Sequence, residues 1–129
     1  MRKWSWPAAL LAAAVYCAPT QAAVTEDTFL LRTTADLVEL CSATSSDPMG
    51  TEALNFCHGF GVGAYRVLAE VERARDAHMF CVPAPVPTRN EALASFVQWA
   101  KANPSQLGQS PEDGIAAFLS KQYPCPKRK

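Results

Sequence analysis

Two positions in this 129-residue chain set a thiol beside an imidazole: Cys57 is followed directly by His58, and His78 precedes Cys81 by three residues. A cysteine and a histidine within hydrogen-bond reach make an activated nucleophile, the imidazole taking the thiol proton. The element that carries the first pair argues against that chemistry. Residues 51–76 have helical length and period, and neighbouring residues on a helix project about 100° apart, so Cys57 and His58 do not face one another. The histidines and cysteines make no zinc set either, since no C-x-x-C and no H-x-x-x-H occurs to place two ligands on one metal. No triad order of Ser, His and Asp and no carboxylate dyad stands out. The expectation is a protein without catalytic residues, without a metal and without any other cofactor, whose polar side chains serve surface and capping roles.

The ends of the chain give the cysteines a different use. Met1-Arg2-Lys3, an apolar run from Ala8 to Tyr16 and the small residues Thr20, Ala22 and Ala23 read as a cleaved signal peptide over 1–23. Cys17 follows the bulky Tyr16 rather than a small residue, which argues against a lipoprotein acceptor. No later apolar run approaches the ~20 residues of a membrane span, so the expected product, 24–129, is a soluble exported domain with no membrane association after cleavage. It keeps Cys41, Cys57, Cys81 and Cys125. An even cysteine count in a small exported chain reads as two disulfides that reinforce a limited core.

Arg2 and Lys3 fall in the leader, so ten Lys and Arg remain against twelve Asp and Glu. Three of those ten close the chain at Lys127, Arg128 and Lys129. The folded body has no basic stripe to neutralise phosphates, which sets nucleic acid aside as a partner.

The stretch 51–76 is the element around which the chain is expected to be organised. On a helical wheel Ala53, Cys57, Phe60, Gly61, Ala64, Val67, Leu68 and Val71 share one stripe, opposite Asn55, Arg66, Glu70 and Arg73. Gly59, Gly61 and Gly63 each cost ~1 kcal/mol against alanine, an expense that close approach of another backbone or of a partner would offset. A shorter helix precedes it: Thr33 and Asp36 form a capping box, and the helix runs to about Cys41. Asp47-Pro48 offers a cap and a first-turn proline, so the long helix begins there or at Thr51. Pro83, Pro85 and Pro87 at alternate positions make an extended connector. Thr88 and Glu91 then open a third helix that Asn103-Pro104 stops, and Ser110-Pro111 with Asp113 opens a fourth that ends at Tyr123-Pro124. No two-residue alternation is sustained, so the fold class is all-α: one small up-and-down four-helix domain with two disulfides.

Four cysteines allow three pairings, and the spacing by itself does not choose among them. Up-and-down packing does: it brings the end of the first helix to the start of the second, and hence Cys41 to Cys57, and it gathers Cys81 and Cys125 at the opposite pole.

Leu40-Cys41, the block Asn55-Phe56-Cys57-x-Gly59-Phe60-x-x-Gly63, Cys81-x-Pro83, Phe96-Val97-x-Trp99, Asn103-Pro104 and Tyr123-Pro124-Cys125-Pro126 together resemble the Rap/Tai family of type VI secretion immunity proteins. The resemblance covers about residues 33–126. It departs at His58, where an apolar residue is expected, and in the density of prolines after Cys81. The resemblance implies a small helical periplasmic protein, often a homodimer, that binds a secreted cell-wall amidase effector and occludes its active site. The partner-binding segment expected on that reading is Asn103, Ser105, Gln106, Leu107 and Gln109, a loop between a helix stop and a helix cap; the alternative is an ordinary interhelical loop with Leu107 tucked into the core. The competing class is a periplasmic acid-stress chaperone of the HdeA type or a structural helical domain.

Overall fold

The computed structural model describes residues 23–76 and 78–127. The signal peptide expected over 1–23 lies, apart from Ala23, outside the described residues, and so do Ala77, Arg128 and Lys129. A 3-10 turn (Glu26–Leu30) leads into α1 (Thr34–Ser42) and α2 (Gly50–Arg73), then α3 (Arg89–Ala102), a second 3-10 turn (Pro104–Gln106) and α4 (Pro111–Gln122). There is no strand among the described residues. The all-α domain with two disulfides is therefore present, with Cys41 bonded to Cys57 and Cys81 to Cys125.

Three helix starts follow from their caps. The Thr33 hydroxyl accepts from the Asp36 N–H at 3.3 Å while the Asp36 carboxylate accepts from the Thr33 N–H at 2.9 Å. Thr88 and Glu91 repeat the arrangement at 3.3 and 2.8 Å, and the Ser110 hydroxyl accepts from the Asp113 N–H at 3.2 Å behind a first-turn Pro111. In each case side chains satisfy amide donors that the helix leaves open.

The start of α2 is different. Asp47 turns back, its carboxylate accepting from the Thr44 N–H at 2.7 Å and the Thr44 hydroxyl at 2.9 Å, so it closes a tight turn instead of capping the helix. Met49 takes a left-handed backbone (φ 55), and the helix begins at Gly50, where a Cβ would stand 1.8 Å from the Thr44 carbonyl oxygen. Glycine is required there by that close approach.

The expected organiser is only half embedded. Ala53 and Cys57 are buried, but Val67 is 65% and Val71 42% exposed, against the wheel reading that put them on the packed stripe. The second half of α2 is covered along one edge only: Ala64 and Leu68 pack against the main core and Glu72 is buried, while Val67 and Val71 lie on the uncovered side. The centre of the domain is α1, which touches α2, α3 and α4 and buries Thr34, Leu37 and Leu40 completely. The main core joins Leu37 and Val38 of α1 to Phe96 and Ala100 of α3 and to Ile115, Phe118 and Leu119 of α4. Phe118 is its aromatic hub, with ring centroids 5.6 Å from Phe96, 5.8 Å from Trp99 and 6.0 Å from Tyr123. A second cluster gathers Val24, Leu40, Ala53 and Cys57, beside which Phe29 of the first 3-10 turn stacks edge-on against Phe56.

Beyond α2 the chain turns on a buried acid. Glu72, 4% exposed, accepts a hydrogen bond from the Met79 N–H, and His78 Nδ1 lies 3.9 Å from the same carboxylate. The Cys81 N–H then donates to the Tyr123 carbonyl at 2.7 Å, which seats the proline connector on the end of α4.

Candidate functional site

Neither thiol and imidazole pair survives folding. Cys57 is 1% exposed and its sulfur is bonded to Cys41. His58 points into a groove between helices, Cys81 is bonded to Cys125, and His78 faces Glu72. Among the described residues no group of three or more His, Cys, Asp or Glu side chains is placed to hold a metal ion, and no helix is long and apolar enough to cross a membrane.

The loop from Asn103 to Ser110 is built from both ends. Asn103 closes α3, its side-chain amide donating to the Trp99 carbonyl at 2.8 Å and its backbone N–H to the Ala100 carbonyl at 3.1 Å. Pro104, Ser105 and Gln106 form the 3-10 turn. Leu107 then packs against the main core, and its carbonyl accepts from the Ala35 N–H at 2.9 Å. The Gln109 carbonyl accepts from the Thr34 N–H at 2.8 Å, and the Thr34 hydroxyl lies 3.2 and 2.9 Å from the Gln109 and Ser110 carbonyls. The loop is thus stitched onto the first turn of α1. Close packing holds the other side, since a Cβ at Gly114 of α4 would lie 2.3 Å from the Thr34 hydroxyl oxygen.

The five loop residues singled out in the sequence do not present themselves equally. Ser105 and Gln109 are exposed, as are Pro104 and Gly108 between them, whereas Asn103, Gln106 and Leu107 are half-buried. Leu107 anchors the loop from below and the exposed residues form its outer surface. A Cβ at Gly108 would meet nothing within 4 Å, and no glycine in the chain has positive φ. No charged residue occurs between Lys101 and Glu112, so anything that reads this loop reads its shape and its amide and hydroxyl hydrogen bonds.

The perturbed ionisations lie outside the loop, at the turn between α1 and α2, at the start of α3 and at the end of α4. Hydrogen bonds from the Thr44 backbone and hydroxyl hold the Asp47 carboxyl below its usual range, and those from the Thr88 hydroxyl and backbone do the same for Glu91. Burial, with a smaller push from the Glu91 charge, raises the Tyr123 phenol.

A family model described as Rap1a immunity proteins matches residues 33–125. This chain belongs to that family. The matched span opens on the cap of α1 and closes on the last cysteine, so all four helices, both bridges and the loop fall inside it. Comparisons with curated proteins and with solved structures find no match. An immunity protein acts by binding a toxic effector, and its two disulfides suit an oxidising, exported setting.

Proposed function

We propose that this Rap1a-family protein works in the periplasm, after removal of its signal peptide, as a non-enzymatic inhibitor of a type VI secretion peptidoglycan amidase. It binds the secreted enzyme and occludes its active-site cleft. The observation that carries this reading is membership of the immunity family over residues 33–125. The exposed loop supports it physically: a segment already fixed by α1 and the core loses little conformational entropy on entering a cleft, and its Ser105 and Gln109 side chains offer hydrogen bonds without a charge to desolvate. A homodimer fits the same reading, with the exposed Val67 and Val71 of α2 as apolar surface for a second copy.

Co-purification with an amidase encoded beside this gene, followed by loop variants, tests the proposal. Leu107→Asp also disturbs the core, so Gly108→Trp and Gln109→Arg are the cleaner changes. Both are expected to keep the parent melting temperature and to weaken amidase inhibition by tenfold or more, about 1.4 kcal/mol. Inhibition unchanged in both variants would remove the loop from the interface. Absence of any amidase binding, with suppression of client aggregation at low pH, would replace this reading with the acid-stress chaperone.

A further inference from the structure

A groove of about 290 Å³ opens between α2, the extended connector after Cys81, and helices α3 and α4. Its floor is made by the buried side chains of Ile115, Phe118 and Leu119, and one wall is Val86, which is 72% exposed. Gly61 lets α2 approach α3 here, since even a Cβ would sit 3.0 Å from Leu93 Cδ2. The polar groups on the groove are few: His58, Arg66, Arg89 and two tyrosines.

We propose that this groove binds a medium-chain alkyl carboxylate, with the acyl chain on the apolar floor and the carboxylate against Arg66 and Arg89. The charge pattern favours an anion. Neither arginine has an ion-pair partner among the described residues. The acid one turn beyond Arg66, Glu70, is taken by Arg73 at 3.1 Å; Glu91, held by the Thr88 N–H and hydroxyl at 2.8 and 2.7 Å, keeps its charge and acts on Tyr123 at the groove, which leaves two cations against one anion there. Two unpaired guanidiniums on one apolar groove are a local excess in a body whose acids outnumber its bases, and guanidinium binds carboxylate through paired hydrogen bonds.

Shape and backbone chemistry favour an acyl chain over a peptide. The volume sits at the bottom of the ~300–1,000 Å³ range of ligand pockets, too little to seat a helix. The one extended segment on the rim carries Pro83, Pro85 and Pro87, which have no N–H to pair with an added strand. An acyl chain asks for no such pairing. This inference stands apart from the amidase reading, and its test needs no effector.

Isothermal titration of the purified protein with sodium decanoate, with decanol and butyrate as controls, decides it. Decanoate is expected to bind saturably at one site, decanol about tenfold more weakly for want of the charge, and butyrate not measurably. Arg66→Gln with Arg89→Gln, both at exposed positions, should bring decanoate down to the level of decanol. Ala92→Trp and Val62→Trp, each filling the groove, should abolish decanoate binding while the helical circular dichroism is kept. No saturable decanoate binding, equal affinity for decanoate and decanol, or full binding by both tryptophan variants would each overturn the proposal.

Discussion

The two disulfides are the same bond in two different surroundings. Cys41 and Cys57 close a separation of 16 residues, and Cys57 is 1% exposed within the cluster of Val24, Leu40 and Ala53. Cys81 and Cys125 close 44 residues, and Cys81 is exposed where the proline connector meets the end of α4. By loop length alone the first contributes ~3 kcal/mol and the second ~4 kcal/mol in the chain-entropy model. Burial reverses that order. The first bridge is also a piece of the core, so its loss strands polar or under-packed atoms inside, while the second acts chiefly by restricting the unfolded chain.

The sharpest way to break the comparison is to open each bridge in turn. Cys57→Ser is expected to cost ~3 kcal/mol of loop entropy plus ~1–3 kcal/mol for an unpaired buried hydroxyl, and Cys125→Ser ~4 kcal/mol, both read from denaturant midpoints with Trp99 emission. A larger loss in Cys125→Ser would show that burial adds nothing to the first bridge. In the first turn of α4, Gly114→Ala forces a methyl onto Thr34 and should cost ~1–3 kcal/mol by overpacking. Amide exchange at Ala35 would speed up with it, because Ala35 donates into the loop that Thr34 holds; unchanged exchange would uncouple the loop from α1.

Along α2, which spans from one pole toward the other, Gly59→Ala and Gly63→Ala should each stabilise the protein by ~1 kcal/mol, since helical alanine outranks glycine and a Cβ meets nothing within 4 Å at either site. A destabilisation in the isolated protein would point to a second copy packed on that face. The smallest effect is that of pH. The lowered Asp47 and Glu91 contribute stability above the ordinary carboxylate range that is lost as pH falls through their lowered folded values, below about pH 4. The raised Tyr123 contributes stability present below about pH 10 and lost as pH rises through its raised folded value. The melting temperature should therefore be level from about pH 5 to 9, fall at both ends, and keep its alkaline plateau in Tyr123→Phe.

What was legible in the chain was what neighbours in sequence decide. Thr33 with Asp36, Thr88 with Glu91, and Ser110 with Pro111 and Asp113 announced three helices because each cap is closed within four residues. Asp47-Pro48 misled because the same two residues suit a tight turn equally well, and the choice fell to the close approach of Gly50 and Thr44. Tertiary facts were not legible. Glu72 stands in a charged run that reads as surface, yet it is buried by the reversal after α2. The stripe on α2 is covered along one edge only, at Ala64 and Leu68, so Val67 and Val71 follow the helical period without being covered. Leu107 suited either a partner contact or the core, and the fold decides for the core, leaving Ser105 and Gln109 outside.

The most direct measurement is peptidoglycan hydrolysis by a candidate amidase effector, the enzyme class proposed above, followed as the immunity protein is titrated in. Hydrolysis is expected to fall to the background in proportion to added protein, at a fixed ratio of the two, with Gly108→Trp shifting the titration to higher concentration. Hydrolysis that continues unchanged at a large excess of the folded, fully disulfide-bonded protein would contradict the proposed inhibition.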